Sequence, residues 1–96
     1  MPTYITLIKW TDQGVRNSKD SVQRAQAFRG DLERRGGKLL SIYWTQGTYD
    51  IVATISAPDD QTAMATLLAV GGLGNVRTET LRAFDESEMA AILQKV

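Results

Sequence analysis

The chain has 96 residues, 43% of them hydrophobic and 23% charged, and its eleven basic and eleven acidic side chains cancel. That length holds one domain, residues 1–96, with a modest core burying about two thirds of the unfolded surface, so self-association would add burial. Neither cysteine nor histidine is present, which excludes disulfides, thiol catalysis, a Ser-His-Asp hydrolase and a zinc centre; no metal and no cofactor is expected.

No Lys/Arg-rich run offers a surface that could track phosphates, so nucleic acid is not an expected partner. Apolar stretches such as Leu67–Val70 are far too short to cross a bilayer, and no membrane association is expected. The first segment does not read as a signal peptide, which makes a cytoplasmic location the expectation.

Thr3–Trp10 (TYITLIKW) alternates Tyr4, Thr6, Ile8 and Trp10 with Ile5, Leu7 and Lys9, which predicts a strand. Thr11–Asn17 (TDQGVRN) is polar, contains Gly14 and reads as a loop. Ser18 or Asp20 can cap the helix that follows; its Val22, Ala25, Phe28 and Leu32 recur every three to four residues, and Gly36-Gly37 stops it. Leu39–Thr45 is a second strand, with Leu40, Ile42 and Trp44 alternating against Leu39, Ser41 and Tyr43. Gln46-Gly47 supplies a turn, and Tyr49–Ser56 is the third strand. Asp59 caps a helix with Ala63, Met64, Leu67 and Leu68 facing inward, ending near Gly71-Gly72. Asn75–Phe84 is a fourth strand. Asp85 and Glu88 then form a capping-box pair, with Phe84 placed to staple against Met89, for a last helix whose apolar stripe is Met89, Ile92, Leu93 and Val96.

The order β-α-β-β-α-β plus a terminal helix predicts an α+β fold, a ferredoxin-like antiparallel sheet with an extra C-terminal helix. Right-handed crossovers place the first and fourth strands together and the third between the first and second. Helices cover one face. Trp10, Tyr43, Ile8 and Leu81 are candidates to make the other apolar, and a second copy is its simplest cover, giving a dimeric α/β barrel. A monomer with a solvated face is the alternative.

This topology gathers three distant segments at one end of the sheet. Lys9, Trp10, Asp12, Arg16, Asn17, Trp44, Tyr49, Asp50, Asn75 and Arg77 meet there, among loops that hold five of the eight glycines. Backbone N–H groups, mixed charge and aromatic walls are the ingredients of a small-ligand pocket. Each member also has a plainer role. Asp50 reads either as an ion-pair partner of Lys9 or Arg77 or as a ligand anchor. Tyr49 is a packing aromatic before it is a catalytic phenol, and Trp10 and Trp44 are core or interface residues before cavity walls. Arg16 and Arg77 could clamp an anion. Gly71, Gly72 and Gly74 stop a helix and begin none, so a phosphate cradle is a weak reading.

Lys9–Gly14 (KWTDQG), Asn17–Ser21 (NSKDS), Gly47–Asp50 (GTYD), Pro58-Asp59-Asp60 and Gly74–Phe84 (GNVRTETLRAF), read together at this spacing, resemble the GYD family of small bacterial proteins. Thr48 fills the variable position of that family's G-x-Y-D pattern. The likeness runs from Pro2 into the last helix and implies a ferredoxin-like fold of the dimeric α/β-barrel type. It brings no established reaction and therefore no catalytic residue.

Four functions are compatible with these residues. The first is a non-enzymatic small-molecule-binding or regulatory homo-oligomer, a dimer or larger, with a pocket at the loop end of the sheet. The second is a cofactor-independent oxygenase-like enzyme in which Trp10, Asn17, Tyr49 and Asp50 orient and deprotonate a substrate. The third is a tautomerase using an amino-terminal Pro2, against the plain reading that Pro2 merely follows the initiator. The fourth is a structural assembly module with Asp50 and Arg77 fixing register.

Overall fold

A computed structural model describes residues 1–96. The elements run β1 (Thr3–Trp10), α1 (Asp12–Arg16), a 3-10 turn (Ser18–Asp20), α2 (Ser21–Arg34), β2 (Lys38–Trp44), β3 (Ile51–Ser56), α3 (Asp60–Gly72), β4 (Val76–Ala83) and α4 (Glu86–Leu93). The strands form one sheet in the order β2-β3-β1-β4, with every neighbouring pair antiparallel. This is the ferredoxin-like βαββαβ arrangement with a C-terminal helix. No helix is long and apolar enough to cross a membrane.

Helices α2 and α3 lie over one face. Tyr4, Ile8, Leu39, Ile51, Ala53 and Ile55 point into that layer, where Leu32 of α2 and Ala63 of α3 meet them in one core. Fully burying aliphatic side chains of this kind contributes about 1.5–3 kcal/mol each. The parity of β1 corrects one expectation. Ile8 is buried and Trp10 packs on the core, so both face the helices, whereas Tyr43 and Leu81 lie 67% and 48% exposed. The register explains it: Leu81 pairs with Ile5 and Ile8 with Thr78, so Ile8 and Leu81 fall on opposite faces.

Strand β2 departs from simple alternation because the register shifts between Leu39 and Ser41. The inserted residue leaves Leu40 half-exposed while Leu39 is buried and Ile42 packs on the core, a spacing of three where an unbroken strand would require two or four. In the helices, Val22, Met64 and Leu68 are 57%, 59% and 67% exposed, contrary to the inward stripes expected of them. On α3 the buried residues are Ala63, Thr66 and Leu67, a narrower face than the apolar composition suggested. Thr66 is tolerated there because its hydroxyl donates to Thr62 O at 2.8 Å.

The caps of α3 and α4 are as read, and that of α2 is not. Asp59 Oδ1 accepts from Thr62 N at 2.7 Å, and this bond holds the Asp59 carboxyl below its ordinary value. Asp85 and Glu88 form the reciprocal capping box of α4. Asp20 occupies the N-cap of α2 without a side-chain bond, since the 3-10 turn leads the chain into the helix. Helix α4 buries none of its residues; Met89 and Leu93 are 44% and 56% exposed.

Strand and helix are also joined at the far end of β1, where the Tyr4 phenol donates to Asp60 Oδ1. Burial first, and that carboxylate second, push the phenol from 10.0 up to about 12. A folded-state value above the unfolded one means stability is whole below pH 10.0 and is lost as pH rises towards about 12. The Tm of the wild type is expected to fall through that window, and Tyr4→Phe should flatten the fall. Equal slopes in the two proteins would assign the alkaline loss elsewhere.

Candidate functional site

The end of β1, the β2–β3 turn and the start of β4 do meet, and their backbone bonds show how. Thr45 N donates to Asp50 O at 2.8 Å, Asp50 N to Ile8 O at 2.9 Å, and Thr11 N to Asn75 O at 3.0 Å. Gly47 turns the chain with φ of +118°, a region that costs a side-chain-bearing residue about 1 kcal/mol or more. Tyr49 and Asp50 therefore belong to the turn, and β3 begins at Ile51.

Asp50 does not form the ion pair with Lys9 or Arg77 offered as one of its two readings. Both salt bridges of the protein are made by Asp31 with Arg34 and Arg35. Asp50 Oδ2 instead accepts from Trp10 N at 2.8 Å, while its own N–H bonds Ile8 O. The ladder between β1 and β3 stops at Ile8 and Ile51. Beyond it the carboxylate stands where a strand carbonyl would, and it satisfies the next donor of β1.

The segment expected to be a loop holds a helix instead. Thr11 caps α1 by accepting from Gly14 N, with Asp12 in its first turn and Arg16 in its last, both matched to the helix dipole. Five residues carry no apolar period, which hid it. Thr11 Oγ1 donates to Gly74 O at 2.6 Å, and Gln13 Nε2 to Leu73 O at 3.1 Å and Asn75 Oδ1 at 3.0 Å. Gly14 is buried against Asn75, and a Cβ there would stand 1.9 Å from Asn75 O.

The residues gathered by topology divide between the two faces of the sheet. On the open face, Lys9 Nζ stands 5.5 Å from the centroid of the Tyr49 ring, and the Tyr49 hydroxyl donates to Glu79 Oε2 at 2.8 Å. That bond holds the phenol above its ordinary value. Lys9 and Arg77 are direct cross-strand partners; Arg77 turns away to Gly71 O and Val76 O, at 3.2 and 3.0 Å. Like charges opposite one another are mutually destabilising, so this shallow depression of about 220 Å³ carries a local excess of positive charge next to Glu79.

On the helix face, Trp10 and Asn75 line a cleft of about 300 Å³ between α2, α3 and the sheet. Trp44 flanks it, donating from Nε1 to Ser21 Oγ at 2.9 Å. The walls are chiefly apolar, with Phe28, Ile42 and Val70 among them. Arg16 and Asn17 lie outside both hollows and are exposed; the carbonyl of Asn17 accepts from Arg24 Nη1 at 2.7 Å. Sequence reasoning missed Ser21 and Arg24 as wall residues. Arg24, Phe28 and Asp31 stand at i, i+4 and i+7 on α2, which was a usable signal. No group of three or more His, Cys, Asp or Glu side chains is placed to hold a metal ion.

Comparison with known proteins gives these features a family. The model of the GYD domain matches residues 4–93. Over 95 residues the chain is 32% identical to the "Glutamine synthetase and cystathionine beta-lyase binding protein" of Thermus thermophilus, covering 98% of this chain and all of that one. A crystal structure from the same organism superposes with a TM-score of 0.57 at 26% identity, over 88% of this chain and 95% of the other. The crystal structure of MtbAldR superposes with a TM-score of 0.60 at 10% identity, over 88% of this chain and 52% of that one, a likeness of fold alone. With the family model spanning β1 through α4, this chain is a member of the GYD domain family.

Proposed function

We propose that the chain is a homo-oligomeric binding protein that regulates an enzyme by associating with it, under the control of a small molecule held at the loop end of the sheet. The observation that carries the first half is the full-length relative whose printed name is that of a protein binding glutamine synthetase and cystathionine beta-lyase. The ligand half rests on the positions of Lys9, Trp10, Trp44, Tyr49, Asp50, Asn75 and Arg77 around two hollows at one end, with Arg16 and Asn17 at the rim.

The open face supports self-association. Tyr43 and Leu81 are 67% and 48% exposed, and an apolar face of that kind is commonly covered by another protein surface. A second copy covers it in this reading. The enzyme surface then falls to the loop-end margin of that face, beyond the second copy, where Lys9 and Arg77 offer positive charge.

Light scattering of the purified protein is expected to give at least a dimer mass. In titrations against purified glutamine synthetase and cystathionine beta-lyase, one of the two should bind. A Lys9→Glu, Arg77→Glu double variant that keeps its mass should bind at least tenfold more weakly, about 1.4 kcal/mol. Failure of both enzymes to bind would retire the regulatory reading.

A further inference from the structure

One residue of the helix-side cleft carries a donor without an acceptor. Trp10 Nε1 is buried and has no hydrogen-bond partner, although the Trp10 ring lines the cleft. An unpaired buried N–H costs about 1–3 kcal/mol, so an acceptor brought in by a bound molecule would recover that cost. The nitrogen is sealed from water. An acceptor therefore reaches it only when the side chains that cover the indole N–H shift aside.

The cleft walls also specify charge. Arg24 and Asp31 are their only charged residues. Asp31 is neutralised by Arg35 Nε at 3.2 Å and Arg34 Nη2 at 3.6 Å. Arg24 meets only carbonyl oxygens, Asn17 O at 2.7 Å and Gly14 O at 3.4 Å, and no carboxylate offsets it. A volume of about 300 Å³ accommodates about a dozen heavy atoms at ordinary packing. An ammonium group would find no free acid on these walls.

We propose that this cleft binds a small apolar monocarboxylate, its hydrocarbon body against Phe28, Ile42 and Val70 and its oxygens facing the Trp10 indole N–H and the Arg24 guanidinium. This deepens the ligand half of the proposed function and rests on it, naming the class of molecule. Arg24 also ties α2 to the carbonyls of Gly14 and Asn17, so occupancy is sensed by the α1 segment at the sheet end.

Phenylacetate, its neutral amide 2-phenylacetamide and the zwitterion phenylalanine separate the possibilities by nitrogen-15 NMR. Two indole N–H signals are expected, and Trp44→Phe identifies the Trp10 one by elimination. Phenylacetate should move the Trp10 signal downfield, bind about tenfold tighter than the amide, and leave phenylalanine behind both. Arg24→Gln keeps a donor for the loop carbonyls and should erase the preference for the acid. Trp10→Phe should weaken phenylacetate about tenfold; if it fails to fold, Arg24→Gln still decides.

A Trp10 signal unmoved by all three compounds overturns the proposal. Equal movement by all three, or an acid preference surviving Arg24→Gln, overturns the carboxylate assignment. A Trp10 signal that shifts with protein concentration alone assigns the cleft to a segment of a second copy and also overturns it. Enzyme association persisting when these compounds fail would leave the regulatory reading intact, and ligand binding without enzyme association would leave the cleft assignment intact.

Discussion

Gly14→Ala is expected to lower stability by about 3 kcal/mol, a fall in Tm of about 15 °C for a chain of this size. The added methyl would stand 1.9 Å from Asn75 O and 2.9 Å from Asn75 C. Both are backbone atoms, so no rotamer can relieve the clash; α1 or the start of β4 must move. Movement breaks the bond from Thr11 N to Asn75 O and loosens those from Gln13 to Leu73 O and Asn75 Oδ1. Alanine is the better helix former by about 1 kcal/mol, which offsets only a part. Gly30 is the control: its Cβ would lie 3.4 Å from the end of the Arg34 side chain, so Gly30→Ala should be neutral or stabilising by about 0.5–1 kcal/mol. Urea titrations of the two variants would decide it. If Gly14→Ala matches Gly30→Ala, the contact with Asn75 carries no stability. Because Asn75 lines the cleft, a folded Gly14→Ala should also lose phenylacetate binding.

Where a residue's conformation follows from its near neighbours, the chain was readable. The alternation of β1, the Asp59 cap and the Asp85–Glu88 capping box all depend on spacing within a few residues, and all are present. Strand order followed from the handedness of two crossovers, and it brought the three loop segments together. What escaped was set by contacts distant in sequence. The bulge at Leu39–Ser41 shifts which residues of β2 look inward, and no local pattern marks it. Helix α1 is held by Asn75 and Gly74, some sixty residues away, and its five residues are too few to show a period. Ile8 and Leu81 were given one face because the β1–β4 register is not written in either strand. The division of the loop-end cluster into two hollows follows from that same parity: Lys9 and Trp10 are adjacent, and adjacent strand residues point to opposite sides.

Asp50→Ala is expected to cost about 2 kcal/mol, and Asp50→Asn well under half as much. The two variants separate what the carboxylate does from what it is. Alanine removes the acceptor and leaves Trp10 N, a strand donor one step beyond the end of the β1–β3 ladder, without its 2.8 Å partner. Asparagine keeps a carbonyl oxygen of the same reach, and with no cation bonded to Asp50 the loss of charge has little to undo. Equal costs for the two variants would instead reveal a role for the charge itself. The backbone should respond locally: the bond from Asp50 N to Ile8 O persists in Asn, while in Ala the amide of Trp10 should exchange with solvent faster than that of Ile8. Hydrogen exchange measures this directly, and unchanged Trp10 protection in Ala would show that another acceptor takes over. The consequence reaches the cleft, because Trp10 hangs from that backbone. Fixing the Trp10 N–H fixes where the indole starts, and a residue at the end of a strand otherwise frays. Asp50→Ala should therefore weaken phenylacetate binding although Asp50 does not line the cleft, and Asp50→Asn should preserve it. In this arrangement the acid at the mouth of β3 works through the backbone of β1. It positions the tryptophan and lines no wall of the cleft itself.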